Sequence, residues 1–334
     1  MSQPKIVAVV STYRRHSELE RLIKSLLDTS NLPVSYIVVN DDASDNEVAA
    51  LVSSLPVKTR YISRPPHKCN SAASGWNRAL EEAVRSFGKE ATHYLLIDDD
   101  AVVETNTLAA LYAAQVVTGA KSSFPAALNP AGEFYVTGQL IDPHWEDAQQ
   151  RCKSREDLQR EFSNNLPEAM MFQGLCHLMD QAVVLSGIRF DENFWLCGED
   201  LDFSVFVAEK WRSVFVPTAY CWHLWGKPFS SAGSRNSSYL KRLSFIQNVT
   251  YMGYHRHYGK RLRGRYFDFL RGRGLWPTYR ELFRDFGVNR HTIKDVCCVV
   301  YYAMVRREAS NQQSARNLRE YRRNYMATAP SSDC

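Results

Sequence analysis

The segment Tyr94-Leu95-Leu96-Ile97-Asp98-Asp99-Asp100 constrains the fold more than any other part of the chain. An apolar run suited to a buried strand ends abruptly in three carboxylates, which repel one another unless something compensates them. A bound divalent cation is one compensation; a solvated acidic turn is the other. Side chains alternate along an extended segment, so Asp98 and Asp100 point one way and Asp99 the other. An Asp-x-Asp pair then stands at the C-terminal end of a strand, where open α/β sheets bind ligands.

The rest of the first hundred residues fits such a sheet. Ile6 to Val10 and Tyr36 to Val39 are apolar strand runs, and Tyr61-Ile62 suggests a short third strand. Between the first two, Ser17-Glu18-Leu19-Glu20 reads as a capping box opening a helix with Leu19, Leu22, Ile23, Leu26 and Leu27 on one face. A second helix is expected from about Gly75 to Phe87, stopped by Gly88. Strands alternating with helices predict an α/β fold with a mainly parallel, doubly wound sheet. Farther on, Thr107 to Val117 and Glu199 to Trp211 have helical spacing. Lys153 to Asn164 reads as helix or loop, Gln181 to Leu185 as a short buried element, and Val214-Phe215-Val216 as a strand ended by Pro217. The remainder, from about residue 236, reads as a helical extension.

Charge is uneven. The whole chain carries +5, yet residues 241–325 hold nineteen Lys/Arg against six Asp/Glu, which leaves the rest net acidic. The basic third suggests an anionic partner or simply solvated helix faces. No apolar segment reaches the roughly 18 residues of a membrane span. The start, MSQPK, leads straight into a short apolar run, too short for a secretory signal core. Eight cysteines include no C-x-x-C pair, the pattern expected of reduced thiols in the cytoplasm.

Acids and hydroxyls gather where elements meet. Ser11-Thr12-Tyr13-Arg14-Arg15 follows the first strand, Asp41-Asp42-Ala43-Ser44-Asp45 the second, and Gly198-Glu199-Asp200-Leu201-Asp202 opens a helix. Singly, each has an ordinary explanation, as turn formers or as acids at a helix N-terminus. Together they resemble the inverting family 2 glycosyltransferases over roughly residues 4–225. VVSTYRR is similar to the family's first strand and loop, NDDASD to its D-D-x-S turn, and LLIDDDAVVE to its Asp-x-Asp strand. FDENFWLCGEDLDFSVFVAEKW is similar to its acceptor segment. Glu104, three residues past the hydrophobic residue after the acids, and Tyr220-Cys221-Trp222-His223-Leu224 resemble galactofuranosyltransferases in particular.

The resemblance implies the GT-A fold. Residues 1–105 would form the nucleotide-sugar half, 106–235 the acceptor-binding half of the same domain, and 236–334 a basic helical region. It implies metal-dependent, inverting transfer from a nucleotide diphosphate sugar, with UDP-galactofuranose the favoured donor, to a glycan or lipid-linked glycan. A rhamnosyltransferase using dTDP-rhamnose is the alternative. A nucleotidyltransferase fits less well, because STYRR lacks the glycines of a phosphate loop. Asp98, Asp100 and His223 would hold Mn²⁺ or Mg²⁺, although His223, between Trp222 and Trp225, also suits a packed histidine. Asp200 would be the general base, with Glu199 binding the acceptor and serving as the alternative base. Thr12, Arg14, Asp42, Arg78 and Asp99 would face the donor, Asp99 turned away from the ion. Arg78 equally suits a surface helix charge. Trp195 and Trp145 would stack on acceptor sugars or simply pack in the core. Arg-rich residues 255–273 would contact an anionic membrane surface, placing a cytoplasmic protein peripherally at the inner face of the cell membrane. No nucleic acid partner is expected.

Overall fold

The computed structural model describes residues 3–29, 31–63, 71–135, 138–140, 152, 154–162, 165–172, 175–192, 194, 198–224, 243, 246–248, 250–251 and 276–305. Strand β1 (Ile6–Thr12) lies between β2 (Tyr36–Asp41) and β4 (His93–Ile97), parallel to both, and β3 (Lys58–Ser63) extends the sheet beyond β2. The other side of β4 carries β10 (Cys176–Asp180), β6 (Ser122–Leu128), β11 (Ser213–His223) and β5 (Ala101–Val103). Four of the seven neighbour pairs along this order are parallel. A short β7 (Phe134–Tyr135) pairs with β6, and β8 (Gly138–Leu140) pairs with β9 (Ala169–Phe172) in a small second sheet.

Period-two alternation divides the apolar residues between two faces. Ile6, Ala8 and Val10 of β1 face Leu19, Leu22 and Leu26 of α1 (His16–Leu27), and α2 (Asn46–Ser53) and α4 (Thr107–Thr118) cover the same side. Val7 and Val9 face α3 (Ala72–Phe87), with α6 (Gln181–Leu185) and α7 (Glu199–Lys210) beside it. Both sheet faces are therefore dry. Helix α5 (Arg155–Phe162) packs Leu158 and Phe162 into the α3 side. In the C-terminal third, Leu282 of α8 (Trp276–Phe286) is buried against Leu243 and Ile246, with Val296 and Val300 of α9 (Arg290–Val305) packed on them. Among the described residues no helix is long and apolar enough to cross a membrane.

Two local expectations are corrected. The capping box at Ser17 does not form: α1 starts at His16, its N-cap is Arg15, and Ser17 sits inside the first turn. A real capping box opens α3, where Ser71 and Ser74 exchange backbone-to-hydroxyl bonds of 3.1 Å. Pro217 does not end its strand. The register of β11 on β6 slips between Val216 and Tyr220, and this irregularity absorbs the missing N–H.

Candidate active site

The sheet edge assembles the acids. After β4 the chain turns tightly, with the Asp98 N–H bonded to the Leu175 carbonyl (3.0 Å) and the Ala101 N–H to that of Asp98 (3.1 Å). It then continues as β5, antiparallel to the end of β11 in a register that sets Ala101 opposite His223. The Leu224 N–H donates to the Asp100 carbonyl at 2.9 Å. His223 is thereby delivered to Asp100 across 123 residues of sequence, with its Nε2 3.2 Å from Oδ1 of Asp100. One ligand atom from each of Asp98, Asp100 and His223 lies within 4.8 Å of the others. Two carboxylates and an imidazole suit a Mn²⁺ or Mg²⁺ ion that fills its other positions with oxygen. Burial pushes the Asp98 carboxyl up to about 7, and the charges of Asp100, Asp99 and Asp200 add to this against the opposing pull of His223. Burial also pushes Asp100 upward, but its hydrogen bond to His223 and the charges of His223 and Arg15 hold it below the ordinary carboxylate value.

Asp99 turns to the other side. It accepts from Thr12 Oγ1 (2.7 Å) and from Arg15 Nη1 (2.8 Å), and the same Arg15 nitrogen reaches Asp100 Oδ2 at 2.8 Å. Burial raises Asp99 to about 6 despite the Arg15 cation. Burial of the guanidinium works against its charge, yet the acids beside it hold Arg15 above its ordinary value. Arg15 carries this neutralisation, and its neighbour Arg14 is the residue that sequence reasoning chose. Arg14 is exposed, with a φ of 56° in the left-handed region, and lies 5.2 Å from the Tyr13 ring centroid.

At the end of β2, Asp41 closes the turn by accepting from the N–H groups of Ala43 and Asp45 and from the Tyr61 hydroxyl. Asp42 is buried; it accepts from Asn40 Nδ2 at 2.9 Å and pairs with Arg78, whose Nε also donates to Asn40 Oδ1 at 3.1 Å. Helix α3 reaches this corner because residue 75 is glycine. A Cβ there would stand 2.5 Å from Ser11 Oγ and 3.2 Å from Asn40 Nδ2.

A cavity of about 80 Å³ lies between α3, α7 and the sheet, lined by Trp76, Leu96, Asp98, His177, Phe190, Glu199, Asp200, Phe203 and Ser204. Gly198, at φ 89°, turns the chain into α7, so that Glu199 and Asp200 stand at its first turn. The Leu201 N–H donates to Asp200 Oδ1 at 2.8 Å. One space thus brings together Asp98, Glu199 and Asp200. Glu104 lies outside it, accepting from Trp222 Nε1 at 2.9 Å and paired with Arg155, which stacks on Tyr220 and Trp222. Trp145, Trp195 and the basic stretch 255–273 lie outside the described residues. His177 and Trp76 were missed by sequence reasoning, because a lone histidine in a strand and a tryptophan in an amphipathic helix carry no local signal.

Residues 4–242 match the family model described as glycosyltransferase like family 2. The chain belongs to that family. As a family 2 glycosyltransferase it takes a sugar from a nucleotide-sugar donor to a glycan acceptor. The crystal structure of S. aureus TarS residues 1–349 is similar, with a TM-score of 0.52 and 16% identity, covering 96% of this chain and 92% of that one. That likeness concerns the fold alone. No curated protein sequence matches the chain.

Proposed function

We propose that this glycosyltransferase is metal-dependent and inverting, with UDP-galactofuranose as donor and a glycan or lipid-linked glycan hydroxyl as acceptor. One observation carries the reading: the Asp98–Asp100–His223 cluster shares Asp98 with the cavity that holds Glu199 and Asp200. Asp98, Asp100 and His223 would hold Mn²⁺ or Mg²⁺, which would supply a Lewis acid to neutralise the departing diphosphate. Asp200 takes the acceptor proton as the hydroxyl attacks the anomeric carbon from the face opposite the diphosphate, which inverts the configuration. Concerted transfer asks only for a weak base, so a carboxylate at a helix N-terminus suffices. Glu199 binds an acceptor hydroxyl. Asp42, oriented by Arg78 and Asn40, accepts a hydrogen bond from the nucleotide base, and Arg14 reaches ribose or phosphate. Thr12 and Asp99 act on the donor indirectly, through Arg15 and the set of Asp100.

The galactofuranosyl assignment draws support from the pairs Glu104–Trp222 and Asp100–His223, which join the two segments that resemble those transferases. In this reading residues 1–105 serve the donor, 106–235 the acceptor, and 236–334 the membrane surface through 255–273. A thermal-shift screen of nucleotide sugars with and without Mn²⁺ tests it. UDP-galactofuranose at about 100 times its dissociation constant should add about 2.7 kcal/mol, a rise of about 4 °C, only with metal present. Stabilisation by dTDP-rhamnose instead would reassign the donor, and stabilisation without metal would remove the ion.

A further inference from the structure

We propose that Asn77 is a positioning residue for the acceptor side of the cavity, and that α3 ties the two sides together through the neighbours Asn77 and Arg78. Asn77 is buried, and its amide satisfies both backbone groups of one distant residue. Its Oδ1 accepts from the Phe190 N–H at 2.9 Å, and its Nδ2 donates to the Phe190 carbonyl at 2.9 Å and to Glu192 Oε1 at 3.1 Å. The amide thus stands in for a strand partner at a segment that has none in the sheet.

Phe190 is the consequence of that grip. Its ring lies 4.2 Å from that of Phe203 at an interplanar angle of 9°, and 6.0 Å from that of Trp76. All three rings line the cavity with Asp98, Glu199 and Asp200. The same segment leads to Gly198 and the first turn of α7, and the Tyr251 hydroxyl donates to Asp191 Oδ2 at 3.0 Å. Asn77 therefore fixes the aromatic wall facing Glu199 and Asp200. Arg78, the next residue, points about 100° around the helix, to Asn40 and Asp42. A change at 77 thus leaves the end of β2 alone.

The inference rests on the reading that Glu199 and Asp200 face the acceptor. Its test compares two reactions of the full chain with UDP-galactofuranose and Mn²⁺: transfer to water, and transfer to octyl β-galactofuranoside. Asn77→Ala leaves buried backbone groups of Phe190 without partners, so acceptor transfer should fall about tenfold through a higher acceptor KM. Transfer to water and the donor KM should not change. Glu192→Ala, an exposed change that spares the fold, removes one of the three bonds and should raise the acceptor KM about threefold. Equal loss of both reactions, or loss of neither, would overturn the proposal. If the wild type does not turn over UDP-galactofuranose, the donor assignment fails and amide hydrogen exchange decides the role of Asn77. Faster exchange at 190–192 in Asn77→Ala, with 40–42 unchanged, supports it; equal change or no change at the two segments overturns it.

Discussion

Nε2 of His223 lies 3.2 Å from Oδ1 of Asp100, while Oδ2 of Asp100 lies 2.8 Å from Arg15 Nη1. The two oxygens of one carboxylate have separate duties. Asp100 has one oxygen on the side of His223 and Asp98 and keeps the other for Arg15, so it would bind an ion through a single oxygen. Single-oxygen carboxylates suit the near-octahedral geometry of Mn²⁺ or Mg²⁺ better than the larger shell of Ca²⁺.

Removing the imidazole should therefore weaken the site without unfolding it. The His223 side chain is 22% exposed and ends a strand. His223→Ala should lower Mn²⁺ affinity about a hundredfold by isothermal titration, with little change in melting temperature. Unchanged affinity would return His223 to the role of a packed side chain.

Metal affinity should depend on pH through Asp98. Its carboxyl is pushed up to about 7, against an ordinary 3.8, by desolvation and by the charges of Asp100, Asp99 and Asp200. A metal must displace that proton, so affinity should fall about tenfold per pH unit below 7 and level off above it. The same raised value has a sign for folding. The folded metal-free protein keeps a proton that the unfolded chain loses, so this group's contribution to stability declines as pH rises from 3.8 to about 7. Titrations from pH 5.5 to 8 check the first effect, and a flat profile would contradict it.

Arg15 should matter more to the folded site than Arg14. Arg15→Gln leaves Asp99 and Asp100 without their cation in a buried setting, a loss of about 3 kcal/mol. Part of this should return with Mn²⁺, which replaces the missing positive charge, so the variant should gain more from metal than the wild type does. Arg14→Gln, at an exposed residue, should leave stability nearly unchanged. Chemical denaturation with and without Mn²⁺ measures all three.

Arg15 also marks where the sequence is readable and where it stops. Strands β1, β2 and β4 are plain apolar runs, and the acids at the ends of β2 and β4 announce a ligand edge. Arg14 and Arg15, however, are chemically alike in sequence; the left-handed backbone at Arg14 decides which of them turns toward the acids. Strands β6 and β10 escaped for a different reason. Ser122 and Ser123 make β6 look like loop, yet inside the sheet they are satisfied by other buried groups. Ser122 pairs with His177 and, at 2.9 Å, with Ser213; Ser123 donates to the Leu111 carbonyl at 3.0 Å. Periodicity cannot reveal polar groups that long-range partners compensate. His223 was legible as a candidate ligand only by resemblance, since its place beside Asp100 depends on the antiparallel register of β5 and β11.

Gly75→Ala separates helix stability from site geometry. Alanine favours the helix by about 1 kcal/mol, but its Cβ would press on Ser11 and Asn40, offsetting a similar amount. Net stability should barely move, while UDP affinity should fall about tenfold as Asn40 and Asp42 are displaced. Titration with UDP and Mn²⁺ reads the second effect, and full affinity in the variant would place the nucleotide base elsewhere.

Asp200, in the cavity it shares with Asp98, is the proposed base. Turnover and UDP-galactofuranose binding by Asp200→Asn, measured side by side, test it most directly. With Asp200 as the base, kcat should fall about a thousandfold while the donor dissociation constant stays unchanged. Turnover within a few-fold of the wild type would contradict it.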